Sequence, residues 1–215
     1  MTSARRGRGR PAGPGVDVEQ RRTDLLDAAE RAIRTHGPDV GIAEVAREAG
    51  FVRSAVYAVF PNRAAILSAL GERQARRLLI QITKRAGGSA DLRQRMSLFF
   101  DVICGWMQDD PNLYRALSLH AAGGHEVPGI FDELSAAVEA MLAASMATSG
   151  GDTAAAAPWA RAIVGSAMVT AQWWIRDSSM PRAELVEHLT TLCWDGGAAL
   201  PFSTFDVEAI DSGRP

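Results

Sequence analysis

The feature of this sequence that most constrains its fold is a series of segments in which apolar residues recur at helical spacing. Each segment is ended by glycine or proline. In the first segment, which begins near Glu19, apolar residues recur at three- and four-residue intervals until Gly37 and Pro38 end the pattern. No Asn-Gly or Asp-Gly turn joins two alternating apolar runs, the usual sign of a β-hairpin. The pattern therefore predicts an all-α protein of about nine helices. The later helices are expected at about 42–49, 53–59, 62–85, 91–107, 111–121, 128–148, 154–177 and 182–199.

Basic and acidic residues are unevenly distributed along the chain, although the formal net charge is only −2. Residues 1–85 contain 16 Lys and Arg against 9 Asp and Glu, whereas residues 86–215 contain 7 against 16. The first part carries an excess of positive charge and the second an excess of negative charge. Because a polyanion attracts positive charge, this asymmetry predicts that only the first part contacts one.

Several classes of protein are not expected from the sequence. The longest uncharged apolar stretch, residues 162–175, has 14 residues, whereas a membrane-spanning helix needs about 20. The first 20 residues contain arginines but no apolar segment of a secretion signal. Cys104 and Cys193 are too far apart in the sequence for a metal-binding or redox motif. We therefore expect a cytoplasmic protein with no membrane contact, no cofactor and no bound metal.

Two short predicted helices, at about 42–49 and 53–59, are joined by a turn that contains Gly50. Together with the helix before them they have the pattern of a helix-turn-helix, within about residues 42–61. In such a motif the second helix can enter the major groove of DNA. Spacing alone leaves open a plain helical hairpin.

A longer motif lies in the same region and extends into the next predicted helix. It reads Gly37, then Glu44-Val45-Ala46-x-x-Ala49-Gly50, then Tyr57-x-x-Phe60-Pro61-Asn62-Arg63-x-x-Ile66-Leu67. Over about residues 21–70 its order and spacing resemble the N-terminal domain of TetR-family transcriptional regulators. More weakly, the segment from Pro181 to Leu200 resembles the closing helix of many members. The resemblance implies a homodimer that binds double-stranded DNA at a near-palindromic operator, with a small-molecule pocket in the acidic part.

The resemblance also assigns DNA-contacting roles to positions of this motif. Arg53 and Ser54 stand where the recognition helix enters the major groove, and Tyr57 and Arg63 stand where members contact phosphate. Ala55 replaces a hydroxyl-bearing residue common at its position, so apolar contact with thymine methyl groups would replace a hydrogen bond. The contacts expected from the helical domain are Ile42, Ala43, Arg53, Ser54, Ala55, Tyr57, Ala58 and Arg63.

A basic arm precedes the first helix. Its segment Arg8-Gly9-Arg10-Pro11 resembles the core of an AT-hook, whose arginines lie in a narrow A·T minor groove. Arg8 and Arg10 are therefore further candidates for DNA contact, and the alternative is a solvated tail. We expect a flexible arm (1–18), a DNA-binding domain (19–70), a ligand-binding and dimerisation domain (71–200) and a C-terminal tail (201–215).

The acidic part contains all five tryptophans and both cysteines. Its large aromatic and methionine side chains recur at helical spacing, which fits a helical core and also a cavity for an apolar or aromatic ligand. The family resemblance favours the cavity. The residues expected to line it are Phe99, Phe100, Ile103, Trp106, Met107, Tyr114, Leu117, Ser118, His120, Gln172 and Trp173.

Two apolar stripes on the last two predicted helices suggest a dimer interface, in which small residues let helices approach across a two-fold axis. The alternative is that both stripes pack inside one protomer. The stripes consist of Ile163, Ala167, Ala171 and Trp174, and of Leu185, Leu189, Leu192 and Gly196.

A catalytic function is not expected from the residues that carry reactive groups. His120 and His125 share no helical face, and nothing marks Cys104 as activated. We therefore expect a ligand-responsive transcriptional regulator, a repressor released by a small apolar or aromatic effector, and not an enzyme. The alternative is a helical ligand-binding dimer with a decayed DNA surface, because Gly41, Val52 and Ala55 stand where members commonly carry hydroxyl-bearing residues.

Overall fold

The computed structural model describes residues 18–88, 91–122, 129–177 and 179–196, and of residues 119–122 it describes the backbone alone. This part of the chain contains nine α-helices and no strand, so the predicted all-α class is confirmed. The helices are α1 (Val18–His36), α2 (Ile42–Ala49), α3 (Arg53–Tyr57), α4 (Arg63–Ala86), α5 (Leu92–Asp109), α6 (Pro111–Ala122), α7 (Ile130–Thr148), α8 (Ala156–Asp177) and α9 (Arg182–Thr190). A 3₁₀ turn (Thr153–Ala155) precedes α8, and a π-helical turn (Thr191–Asp195) follows α9.

Helices α1, α2 and α3 form a three-helix unit, which we call the head. Gly50 adopts a φ of +70°, a left-handed conformation that favours glycine, and the chain turns there between α2 and α3. The side chain of Asn62 caps α4, since its Oδ1 accepts a hydrogen bond from the Ala65 backbone N–H at 2.8 Å. The core of the head is made of buried apolar side chains, which include Leu25, Ala29, Ile33, Val45, Val56 and Phe60.

Helix α4 connects the head to α5–α9, which we call the body. It has 24 residues, which corresponds to a length of about 36 Å. Within the body, α5 is central because it packs against α4, α6, α8 and α9, while α7 packs along α8. Apolar residues of head and body belong to one continuous core. A displacement of α4 therefore affects both parts.

A cluster of charged residues also joins the head to α4. The carboxylate of Glu30 on α1 is buried, and it pairs with Arg34 at 2.6 Å, Arg73 at 2.5 Å and Arg77 at 2.8 Å. Arg73 additionally donates a hydrogen bond to Asp27 at 2.6 Å. Several guanidinium groups around one carboxylate offset the cost of removing it from water. The cluster therefore fixes α1 against α4.

Two predicted helices end earlier than expected. Helix α3 ends at Tyr57 rather than near residue 59, because the following turn carries Phe60 into the core, where its N–H bonds to Val56 O at 2.8 Å. The final helix does not continue as an α-helix to about residue 199. After Thr190 the chain forms the π-helical turn, and Gly196 at φ +76° ends the helical run.

Candidate nucleic-acid interface and ligand cavities

The outer surface of the helix-turn-helix consists mainly of α3 and the residues just before it. Val52 is 70% exposed and Tyr57 54% exposed, and Arg53, Ser54 and Ala58 are also exposed. Three other predicted contacts, Ala55 on α3 and Ile42 and Ala43 in the first turn of α2, are half-buried. The predicted DNA residues of α3 are therefore brought together on one accessible surface of the head.

The first turn of α2 is stabilised without a hydroxyl side chain. The backbone N–H of Gly41 donates to Glu44 Oε2 at 3.1 Å. Backbone hydrogen bonds, first its own and then that of Gly41, hold the pKa of Glu44 below its usual value. The Glu44 carboxylate thus satisfies the free N–H at the N-cap and places a negative charge in the first turn of α2, where the helix dipole favours it.

The sequence predicts that the side chain of Arg63 faces outward to a phosphate, but in the structure it lies against the loop between α1 and α2. Its Nε donates to Val40 O at 2.8 Å and its Nη2 to Pro38 O at 2.6 Å. The loop between α1 and α2 has carbonyl groups outside any helix, and Arg63 satisfies two of them from the first turn of α4. The guanidinium therefore positions the loop beside α2. The other basic candidates, Arg8 and Arg10, lie outside the described residues.

A cavity with a volume of about 710 Å³ lies between head and body. Its walls are α4 and α5, and it is closed by the last turn of α1, the first turn of α6 and Arg182 of α9. We call it the head–body cleft. Of the predicted pocket residues, only Trp106 lines it. Its charged and amide residues could not be predicted from the sequence, because they come from helices far apart in the chain.

A smaller cavity, of about 340 Å³, lies among α6, the first turn of α7 and α8. We call it the α6–α8 pocket. Three predicted lining residues, Tyr114, Ser118 and Gln172, do line it. Burial raises the pKa of Tyr114 above its usual value, and the neighbouring Ser118 hydroxyl opposes this shift. The phenol is therefore protonated at neutral pH and can donate a hydrogen bond to a ligand.

The remaining predicted pocket residues do not line either cavity. Phe99, Phe100, Ile103, Met107 and Leu117 are buried in the common core, where their side chains pack against other helices. Trp173 is instead 40% exposed on the surface of α8. The side chain of His120 lies outside the described residues. For the five buried residues, apolar periodicity predicts burial correctly, but it does not distinguish a side chain that fills the core from one that lines a cavity.

The predicted dimer stripes are largely wrong, because most of their residues pack inside the protomer. Ala167, Ala171, Trp174, Leu185 and Leu189 are all buried. The indole N–H of Trp174 donates to Met180 O of the same chain at 2.7 Å. Helix α8 is apolar on two faces, and the sequence does not reveal which face contacts α5 and which is left outside.

The outward face of α8 is apolar and carries Trp159, Val169 and Trp173, of which Val169 is 69% exposed. Trp159 and Trp173 lie fourteen residues apart on the same side of the helix, with Ser166 midway between them. Three residues of the predicted stripes lie at or near this surface: Ile163 and Gly196, which are half-buried, and Leu192, which is exposed. Exposed aromatic and apolar side chains on one helix face are typical of surfaces that contact another protein.

The described residues give no support to catalysis. Burial raises the pKa of the Cys104 thiol to about 12, which keeps it protonated and unreactive. No group of three or more metal-binding side chains occurs among the residues that the structure describes. Within the same ranges no helix is long and apolar enough to cross a membrane.

Comparisons with known proteins agree with this architecture. Residues 25–70 match the family described as bacterial regulatory proteins, tetR family, and residues 84–203 match the tetracyclin repressor-like C-terminal domain. An uncharacterized HTH-type transcriptional regulator from Mycobacterium tuberculosis strain H37Rv is 26% identical over 181 residues, which cover 81% of this chain and 76% of the relative.

Solved structures share the fold at lower sequence identity. A tetR-family regulator from Streptomyces coelicolor has a TM-score of 0.63 and 22% identity, covering 83% of this chain and 80% of its own. The regulator FadR from Bacillus subtilis, solved in complex with stearoyl-CoA, has a TM-score of 0.62 and 17% identity. That likeness covers 81% of this chain and 98% of the FadR chain.

Proposed function

The chain belongs to the TetR family of transcriptional regulators, and from this premise we propose that it is a repressor whose release from DNA is controlled by a small apolar effector. The family binds DNA and acts as dimers. The observation that carries the proposal is the exposed surface of α3, with Arg53, Ser54 and Tyr57 beside apolar Val52. Such a surface offers phosphate contacts and apolar contacts to thymine methyl groups in a major groove.

We further propose that two protomers associate through the outward face of α8. Trp159, Val169 and Trp173 would be removed from water there, and exposed aromatic residues of this kind dominate the stability of protein interfaces. The two heads would then enter successive major grooves on one side of the duplex, about 34–36 Å apart. The two-fold symmetry of such a dimer accounts for the expected near-palindromic operator, and the distance between its heads sets the half-site spacing.

The effector site that we propose is the α6–α8 pocket. Ile130, Phe131 and Met168 provide an apolar wall, and the Tyr114 phenol provides a hydrogen-bond donor. Two neighbours in fold are consistent with an apolar ligand: FadR was solved with stearoyl-CoA, and AlkX of Dietzia is implicated in the biodegradation of n-alkanes. We therefore expect an effector with a hydrocarbon or aromatic body.

A route from this pocket to the head runs through Gly71 of α4. A Cβ at Gly71 would lie 3.2 Å from the backbone nitrogen of Ile130, so α4 and the first turn of α7 are in close contact. Ile130 also lines the α6–α8 pocket. A ligand that moves the first turn of α7 would therefore move α4 and, with it, the head. Ligand binding would then favour a conformation whose head spacing does not fit the operator.

The proposal is tested by a gel-shift assay with duplex DNA that flanks the chain's own gene. We expect specific binding by the unaltered protein and a large loss of affinity in Arg53→Ala and Tyr57→Ala. Arg161→Ala, which removes an exposed arginine of α8 far along the chain from α3, is the matched control and should bind normally. No binding at low salt would contradict the proposal and favour a ligand-binding dimer with a decayed DNA surface.

A further inference from the structure

The head–body cleft is large enough for a small ligand and is separate from the proposed effector pocket. Its volume of about 710 Å³ lies in the range of about 300–1,000 Å³ that is usual for small-molecule sites. Its walls come from both the head and the body, because Arg34 belongs to α1 and Trp106 to α5. No residue that lines the α6–α8 pocket lines the cleft.

The floor of the cleft is apolar but contains a buried donor without a protein partner. Leu78 and Val102 are buried there beside Trp106, whose Nε1 is buried with no hydrogen-bond acceptor among the described residues. Gln74, which is 8% exposed, lines the cleft as well and brings a side-chain amide to it. A buried indole N–H is nearly always hydrogen-bonded, so Trp106 points to a missing acceptor in the cleft.

One end of the cleft carries an excess of positive charge. Arg85 and Arg182 share a single carboxylate, that of Asp101, at 2.8 Å and 3.0 Å. Arg182 can lie across α5 because residue 105 is glycine: a Cβ there would be 3.0 Å from Arg182 Nη1. Two guanidinium groups with one acidic partner retain free donors in the planar geometry that binds a second carboxylate.

The opposite end of the cleft is acidic. Asp109 lies eight residues further along α5 than Asp101, which corresponds to about 12 Å. Arg34, the nearby cation, is already engaged by Asp110 at 2.6 Å and by Glu30 at 2.6 Å. An anionic group would therefore be attracted to the end with Arg85 and repelled from the end with Asp109. This polarity fixes the orientation of a ligand.

We propose that the head–body cleft is a second ligand site, which binds a small organic carboxylate with a flat apolar body. The carboxylate is bound by Arg85 and Arg182, and the apolar body lies on Leu78, Val102 and Trp106. Gln74 and the indole N–H of Trp106 hydrogen-bond to polar atoms of the ligand. The occupied site braces α1 of the head against α5 of the body.

The experiment is a titration of the full chain, labelled with 5-fluorotryptophan, followed by ¹⁹F NMR. The probe is 1-naphthoate, and the matched control is its uncharged amide, 1-naphthamide. The resonance of Trp106 is assigned from the Trp106→Phe variant. We expect 1-naphthoate to shift this resonance saturably and 1-naphthamide to shift it much less. Arg85→Gln should weaken 1-naphthoate binding roughly tenfold, the value for loss of one charge-assisted hydrogen bond.

Two further variants keep the result decisive. Gln74→Leu preserves side-chain size and should also weaken binding, whereas Gln172→Leu, in the α6–α8 pocket, should leave it unchanged. The proposal is overturned if no saturable shift of Trp106 occurs at millimolar probe, if the acid and the amide bind equally, or if only Gln172→Leu weakens binding. The assay contains no DNA, so its failure would leave the proposed repressor function untouched.

Discussion

At the scale of single residues, the buried carboxylate of Glu30 contributes most to joining the head with α4. It pairs with Arg34, Arg73 and Arg77, and its own side chain is only 7% exposed. Removing the charge of Glu30 leaves guanidinium groups partly buried without their partner. Breaking a buried ion pair in this way is far more costly than losing an exposed one.

We therefore predict that Glu30→Gln lowers the free energy of unfolding by about 3 kcal/mol. Glu72→Gln is the matched control, because Glu72 pairs with Arg76 on the exposed surface of α4, and we expect a loss of less than about 1 kcal/mol there. Urea unfolding followed by circular dichroism measures both values. Equal losses of unfolding free energy in the two variants would show that the ion pairs of Glu30 stabilise the protein no more than an exposed pair does.

Cys104 provides a second prediction for a single residue. Burial raises the pKa of its thiol to about 12, so the thiol remains protonated at every pH below that value and lacks the reactive thiolate. We expect iodoacetamide at pH 8 to leave Cys104 unmodified in the native protein and to modify it after denaturation in urea. Mass spectrometry of tryptic peptides distinguishes the two cases, and rapid native labelling of Cys104 would contradict the burial described.

At the scale of helices, the contact between α4 and the first turn of α7 is the most sensitive to side-chain size. A Cβ at Gly71 would lie 3.2 Å from Ile130 N, and this neighbour is backbone, which cannot rotate away. We predict that Gly71→Ala lowers the free energy of unfolding by about 1–3 kcal/mol. We also expect it to change effector-induced release of DNA.

The control for this prediction is a glycine in another helix. A Cβ at Gly165 of α8 would meet only the ring of Phe131, at 3.8 Å, an ordinary contact distance. Because alanine favours helix over glycine, Gly165→Ala should be neutral or stabilising by up to about 1 kcal/mol. Thermal unfolding of both variants provides the comparison. A Gly71→Ala protein as stable as Gly165→Ala would rule out close α4–α7 packing.

The helices themselves could largely be predicted from the sequence, because their apolar spacing and their glycine, proline and asparagine ends are local signals. Gly50 lies at the turn between α2 and α3, as the sequence predicts, and Asn62 caps α4. The faces of α8 could not be assigned in the same way, since Ala167 and Val169 are both apolar and only packing against α5 decides which is buried. The partner of Arg63 is likewise non-local, because its carbonyl acceptors belong to a loop more than twenty residues earlier.

At the scale of the whole molecule, the division of charge matches the division into head and body. Of the 23 Lys and Arg residues, 16 precede residue 86, and those that come before α4 belong to the part that we propose faces DNA. The ion pairs of α4 with α1 and α5 connect the two parts, and the head–body cleft lies between them. The α6–α8 pocket was partly predicted from the sequence, whereas the cleft was not, because its walls are assembled from five helices.

Dimerisation is a property of the whole molecule that a single substitution can test. We predict that Trp173→Glu, which places a charge on the outward face of α8 in place of a large aromatic side chain, converts the dimer to a monomer. Met141→Glu is the control, because Met141 is also exposed, at 56%, but belongs to α7 and lies outside that face. Size-exclusion chromatography with light scattering measures the mass. A dimer that survives Trp173→Glu would place the interface elsewhere.

The central claim is that two heads of one dimer bind two half-sites of an operator through α3. Hydroxyl-radical footprinting on DNA that flanks the chain's own gene tests it most directly. We predict two protected segments on one face of the duplex, with centres about 10 base pairs apart, and loss of both in Arg53→Ala. A single protected segment, or protection that Arg53→Ala leaves intact, would contradict the account.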